Sequence, residues 1–205
     1  MKAAKDDAPM NPTQKHLIIM AKAPRIGRVK SRLARDIGVV GAWAFYRRTL
    51  SQVSRRLAAD VRWTTWLGVA PDSAAESNGQ WPVDCPRIAQ GSGDLGSRMA
   101  TLLAGVPPGP AVLVGADIPG IECRHINQAF RALGNADAVF GPASDGGYWL
   151  VGLKRRPLNV DIFGDVRWSS EHTLADTLAN LPRRWRHARA ATLSDVDDGN
   201  DLSAL

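Results

Sequence analysis

The sequence predicts an α/β protein whose mostly parallel sheet is covered on both faces by helices. Three observations carry that prediction. Short β-branched apolar runs alternate along the chain with helical patterns, the rhythm of consecutive β–α–β units. The 205 residues fit one domain at about 150 residues per domain, with room for a substantial core. Hydrophobic residues make up 44% and charged residues 22%, which excludes wholesale disorder and fibrous repeats.

The elements follow in order. His16 to Ala21 is a compact apolar strand, followed by a Pro- and Gly-containing loop from Lys22 to Val29. From about Val39 to Ala59, Val40, Trp43, Leu50, Val53 and Leu57 recur at three- and four-residue spacing, which predicts a helix with Arg47, Arg48, Arg55 and Arg56 on its solvated side. Trp63 to Ala70 is the next strand, closed by Pro71, and Asp72 to Pro82 is loop-like. Helices are expected over Leu95 to Ala104 and Cys123 to Leu133, with strands at Ala111 to Gly115, Ala136 to Phe140 and Tyr148 to Leu153. A helix from about Ser170 to Asn180, capped by Ser169, precedes a basic stretch from Arg183 to Arg189 and a short helix near Asp201. Neither a repeat nor a low-complexity block interrupts the series.

The longest apolar runs, Leu17 to Ala21 and Ala111 to Val114, fall far short of the ~18 residues that would cross a bilayer. Residues 1–15 read as a disordered tail without a signal-type apolar region, and 16–205 as one domain. Two cysteines, Cys85 and Cys123, lack paired spacing, so a reducing cytoplasm is expected rather than a disulfide framework. The four histidines have no metal-ligand spacing, which argues against zinc. Seven scattered tryptophans suit core and pocket walls better than a stacking platform for single strands.

Charge is unevenly spread. Residues 1–60 hold 13 Lys and Arg against 4 acids, while residues 61–205 hold 13 against 16. The amino-terminal part is therefore expected to bind an anion, whether nucleic acid, membrane surface or a phosphorylated small ligand. Within it, Lys22, Pro24, Gly27, Lys30, Ser31 and Arg32 form a cationic glycine loop between strand and helix, where backbone N–H groups can receive phosphates. It is not a Walker A loop, because Arg28 and Val29 separate Gly27 from Lys30-Ser31. A basic surface turn is the competing reading.

Asp117 follows a buried strand and precedes Ile118-Pro119, a position from which a carboxylate can hold Mg²⁺ or Mn²⁺ against substrate phosphates. The competing reading is a turn or helix-cap aspartate. Asp195, Asp197, Asp198 and Asp201 offer a second acid, with Asp197 the expected metal ligand and Asp198 or Asp201 assigned to the start of the last helix. Asp145, Gly146, Gly147 and Tyr148 form either a plain hairpin turn or a loop whose Asp145 meets a hydroxyl as a base. Gly91, Gly93 and Gly96 match a dinucleotide-binding spacing, but the preceding run is short and a single match of this kind is weak.

As a set, these blocks resemble the bacterial glycosyltransferase family described as radical-SAM/selenodomain-associated transferases, type 1, within the nucleotide-diphospho-sugar transferase superfamily. The family's K-x-P-x-x-G-x-V-K-T-R-L is similar to Lys22 through Leu33, and its Q-x-G-x-D-L-G-x-R-M to Gln90 through Met99. Its G-T-D-C-P is similar to Gly115 through Pro119, its G-P-A-x-D-G-G-Y-x-L-x-G-L to Gly141 through Leu153, its W-S-T to Trp168 through Ser170, and its D-V-D-T-P-E-D-L to Asp195 through Leu202. Ser31 stands for Thr, Ala116 and Ile118 for Thr and Cys, and Asp198, Gly199 and Asn200 for T-P-E.

The resemblance implies a three-layer α/β/α Rossmann-like GT-A fold with a mixed sheet, a metal-dependent glycosyltransferase and no nucleic-acid partner. Lys22, Pro24, Gly27, Lys30 and Arg32 would bind phosphates, and Gly91, Asp94, Gly96 and Arg98 the nucleotide. Asp145, Gly146, Gly147, Tyr148, Trp168 and Ser169 would face the transferred group or a small-molecule acceptor, with Asp117 and Asp197 holding Mg²⁺ or Mn²⁺. Lys30, Asp117 and Asp145 are the expected catalytic residues. The same parts suit a nucleotidyltransferase that joins a nucleoside triphosphate to a phosphorylated small molecule and releases pyrophosphate. A non-catalytic nucleotide- or nucleic-acid-binding module is the alternative of another class.

Overall fold

The structure, a computed structural model, describes residues 14–77, 81–155 and 160–204. Seven strands form one sheet: β1 (His16–Lys22), β2 (Thr64–Ala70), β3 (Arg87–Ala89), β4 (Ala111–Gly115), β5 (Ala138–Pro142), β6 (Tyr148–Leu153) and β7 (His187–Arg189). Their spatial order is β3-β2-β1-β4-β6-β5-β7. All neighbours are parallel except β6, which runs antiparallel between β4 and β5. The reversal has a local consequence. The carboxyl ends of β1, β4 and β5 and the amino end of β6 meet at one edge, where ligands of open α/β sheets bind.

Side-chain alternation explains why both faces are covered. Leu17 and Ile19 of β1, with Val112 and Val114 of β4, pack among Leu50, Val53 and Leu57 of helix α1 (Leu33–Ala58) and Ile126, Ala129 and Phe130 of α3 (Cys123–Ala132). Ile18, Ala111 and Leu113 point the other way, against Met99, Leu102 and Leu103 of α2 (Leu95–Gly105) and Leu174 and Leu178 of α4 (Thr173–Ala179). Strands apolar on both faces are the mark of a sheet between two helical layers.

Four expectations shift. Helix α1 starts at Leu33 rather than near Val39, and Gly38 (φ 79°, ψ 158°) interrupts it after one turn. That first turn is anchored because Leu33 is buried against Ala42 and Val196. The predicted Ser169 cap is absent: α4 begins at Thr173, and Ser169 lies in the left-handed region at φ 56°. The hydroxyls of Ser170 and Thr173 instead bond the Arg167 carbonyl at 2.7 and 2.8 Å, closing a compact turn before the helix. The basic stretch contains the edge strand β7, whose entry is fixed by Arg186 N–H donating to Asp137. The fourth shift is at Ala136 to Phe140, where the strand is displaced to 138–142 because its partner β6 pairs there.

The last helix, α5 (Gly199–Ser203), begins with Asp198 accepting from the N–H groups of Asn200 and Asp201, the cap role expected of these acids. Of the tail expected over 1–15, residues 1–13 lie outside the described ones, whereas Gln14 donates to Thr64 Oγ1 at 2.7 Å. Cys85 and Cys123 are free, and among the described residues no helix is long and apolar enough to cross a membrane.

Candidate functional site

A cleft of about 690 Å³ opens at the strand edge described above. One wall comes from the β1–α1 loop, which contributes Lys22, Val29, Lys30, Ser31 and Arg32. Tyr46 of α1 fixes the base of this wall: its hydroxyl accepts from the Lys22 N–H at 2.8 Å and donates to the Lys22 carbonyl at 2.9 Å. Burial pushes its phenol well above the usual range. Val29, buried in the core, and the left-handed backbone of Lys30 (φ 48°) then aim the lysine inward.

Lys30 meets its counter-charges there. Its Nζ lies 2.7 Å from Asp117 Oδ2 and 2.9 Å from Asp197 Oδ1, with only 6% of the side chain exposed. Burial opposes its charge, yet Asp117 and Asp197 hold its pKa above the ordinary lysine value. Asp117 stands at the end of β4 between Ala116 and Ile118, both buried in the core, which accounts for apolar side chains beside this carboxylate. Asp197 follows Val196, buried against Leu33 and Ala42, and its N–H donates to Asp201 at 2.8 Å. Asp36 adds a tie from α1 through the Gly199 N–H at 2.8 Å. Arg32 reaches the second oxygen of Asp197 at 3.0 Å.

Asp195 completes the group. Asp117, Asp195 and Asp197 each offer a carboxylate oxygen, all within 4.8 Å of one another, a spacing compatible with one hard divalent cation. Burial first, then the charges of Asp197 and Asp117, pushes the Asp195 carboxyl up to about 6 against the pull of Lys30. Burial would also raise Asp197, but hydrogen bonding and charge from Lys30, with Arg32 behind, hold it below the usual carboxylate range. Asp195, one of the acids offered by the 195–201 segment, thus joins the expected ligand Asp197. The signal was the spacing of two in Asp195-Val196-Asp197, which puts both acids on one side of an extended segment.

The opposite wall is the β5–β6 hairpin with residues 168–173. Asp145, Gly147, Tyr148, Trp149, Trp168, Ser169 and Glu171 line it. Asp145 Oδ1 accepts the Gly147 N–H at 2.9 Å, so the hairpin turn and the cleft wall are the same object. Gly146 itself is outside the lining. A Cβ there would overlap the Glu171 backbone, so the residue must be glycine for the two loops to touch. Trp168 is held from behind, because Arg167 grips Asp176 with two N–H groups at 2.8 Å.

The Gly91–Arg98 block divides. Arg98 lines the cleft, its guanidinium 3.3 Å from Gln90 Oε1, and Leu95, Met99 and buried Gln90 join it. Gly91, Asp94 and Gly96 are not among the lining residues. Gly91 N–H donates to Asp72, and Asp94 caps α2 through the Ser97 N–H. A Cβ on Gly96 would sit 2.6 Å from Trp168, which makes that glycine a packing position. Pro24 and Gly27 also lie outside the lining and shape the loop: the Pro24 carbonyl accepts from Trp43 Nε1 at 2.7 Å, and Gly27 adopts φ 74°. Gln90 and Tyr46 escaped sequence reading because both act through the backbone, Gln90 by donating to the carbonyls of Ala21 and Gly68.

Comparison with known proteins places this geometry. Residues 52–170 match the family DUF2064, described as an uncharacterized protein conserved in bacteria. No curated protein matches the chain. A crystal structure from Desulfovibrio desulfuricans, described as a "putative nucleotide-diphospho-sugar transferase", superposes with a TM-score of 0.85 at 27% identity, covering 94% of this chain and 86% of that one. The CMP:2-keto-3-deoxy-manno-octonic acid synthetase complexed with CTP superposes at 0.57 with 12% identity, covering 94% and 96%. The manganese complex of Rv0371c from Mycobacterium tuberculosis superposes at 0.50 with 18% identity, covering 94% and 97%. The last two share the fold. The family match spans more than half of the sequence, and the chain belongs to DUF2064.

Proposed function

We propose that this DUF2064 member is a nucleotide-using transferase, and specifically a metal-dependent glycosyltransferase that moves a sugar from a nucleotide-diphospho-sugar to a small acceptor. The observation that carries the reading is the contact of Lys30 with both Asp117 and Asp197. It puts phosphate-binding cations and cation-binding carboxylates in one cleft, the two things a diphosphate requires. The Desulfovibrio protein, similar over nearly the whole chain, supports the nucleotide-sugar reading, and the manganese-bound neighbour supports a divalent cation.

In this reading Asp117, Asp195 and Asp197 would hold Mg²⁺ or Mn²⁺, which when bound supplies positive charge against the diphosphate. Lys30, Arg32 and Lys22 face the same oxygens and stabilise charge on the departing nucleoside diphosphate. Arg98 and Gln90 line the nucleotide side. The acceptor hydroxyl attacks the anomeric carbon, and the bond from that carbon to the phosphate oxygen breaks with its electron pair leaving on the nucleotide. Asp145 takes the hydroxyl proton, since Gly147 engages only its Oδ1. Trp168 and Tyr148 present ring surfaces to the sugar.

Nucleotidyl transfer is the second reading, favoured by the CTP-bound synthetase of the same fold. The two differ in product: incubation with nucleotide-sugars and Mn²⁺ releases nucleoside diphosphate in the first, whereas nucleoside triphosphate with a phosphorylated acceptor releases pyrophosphate in the second. Asp117→Ala is expected to lower turnover by several kcal/mol of transition-state stabilisation and to weaken Mn²⁺ binding measured by titration. Unchanged Mn²⁺ and nucleotide affinity in that variant would remove the site from consideration.

A further inference from the structure

Beyond the cleft, the strongest unexplained feature is an apolar patch on the β1–α1 segment. Ile26, Ile37, Val39 and Val40 are exposed to 57, 38, 46 and 63%. Among the described residues the only other exposed large hydrophobic is Val61. The loop that carries Ile26 lies against the α1 turn that carries Val39. A Cβ on Gly27 would sit 3.8 Å from Val39 Cγ1, and Trp43 ties the loop through the Pro24 carbonyl. The break at Gly38 leaves residues 35–40 exposed without interruption, where a regular helix would turn one face inward.

The segment that carries these side chains has nearly one sign. Residues 22–48 contain eight Lys and Arg and a single acid, Asp36, whose carboxylate is engaged by the Gly199 N–H. Arg25, Arg28 and Arg35 are exposed and join no ion pair among the described residues. Exposed apolar side chains interspersed with unpaired cations along one segment complement a surface that offers hydrocarbon beneath phosphates. A nucleic acid would answer the arginines and leave the apolar centre unmatched. A second copy of the chain would set arginines against arginines.

We propose that this face docks the protein onto an anionic lipid surface. Lys30 and Arg32, in the same segment, line the cleft, so docking brings its mouth to the level of the lipid headgroups. The proposal does not need the transferase reading, because vesicle binding is measured without nucleotide.

The test is co-sedimentation of the full chain with phosphatidylcholine vesicles, with and without phosphatidylglycerol. Binding is expected only with phosphatidylglycerol, weakening as salt rises. An Arg25→Glu, Arg28→Glu double variant should bind at least tenfold less, since each lost cation near such a surface is worth about fivefold. An Ile26→Ser, Val39→Ser, Val40→Ser triple variant should also lose about tenfold, and Val61→Ser nothing. Neither set lines the cleft, so melting temperature should persist and show that the variants are folded. Equal binding to both vesicles, or none to either, overturns the proposal. So does a wild-type dimer that the triple variant converts to monomer while vesicles capture neither, and so does RNA binding that the arginine variant alone abolishes.

Discussion

The loop between β1 and α1 and the loop between β3 and α2 look alike on paper. Each follows a parallel strand, carries glycine at positive φ (Gly27 at 74°, Gly91 at 74° and Gly93 at 100°) and leads into a helix. In the folded chain they diverge. The first sends Lys30 into the cleft against two carboxylates. The second serves packing: Gly91 N–H donates to Asp72 of the segment after β2, Asp94 caps α2 through the Ser97 N–H, and Gly96 packs beneath Trp168 and Phe163. Glycine spacing reports what the backbone must do, while the placement of cations reports what the loop is for.

The sharpest way to break that contrast is to exchange side chains for function on one loop and for packing on the other. Lys30→Met should lower kcat/KM for a nucleotide-sugar on the order of a hundredfold or more, as expected when a charge aimed at a leaving group is lost. Near-normal turnover would make the two loops equivalent. Gly96→Ala should act on stability instead. Its Cβ would lie 2.6 Å from the Trp168 ring and 2.9 Å from Phe163 Cβ, and overpacking of this kind costs about 1–3 kcal/mol in urea melts. Asp94→Ala removes a helix cap and should cost about 1 kcal/mol by the same measurement, with nucleotide affinity retained.

A further effect concerns pH. Asp195 keeps its proton up to about 6 in the folded chain, against an ordinary value of 3.8. Its contribution is therefore fully present below about 4 and is lost as pH climbs through about 6. In urea melts with chelator present, wild type should lose stability across that window and Asp195→Asn should show a flatter profile. A wild type that gains stability there through this residue would reverse the assigned environment.

What the sequence made legible follows from what is local. β1, β2, β4 and β6 are runs of apolar residues bounded by breakers, and their burial on both faces is written in their composition. Asp117 was legible because Pro119 stops the chain just past a strand. Less local features escaped. The strands β3 and β7 are three residues each and exist because β2 and β5 offer them edges. The early start of α1 depends on Leu33 finding Val196, which no window of sequence contains. For the same reason the sequence offers Asp195 as a second acid without showing that it joins Asp197 beside Asp117, a residue nearly eighty positions earlier.

Lys30 and Asp197 stand 167 residues apart in the chain and 2.9 Å apart in space. A ribosome adds about 5–20 residues each second, so roughly 8 to 30 s separate the emergence of the two partners. For about the second half of that interval the nascent polypeptide owns the cationic loop and Asp117 but not the carboxylates that complete the acidic group. Closing so long a loop is entropically late, which makes this contact among the last to form. A truncation that removes the 195–197 segment leaves the seven strands' sequence intact and takes away two of the three carboxylates. The acidic group therefore assembles only after segments far apart in the chain have both been made.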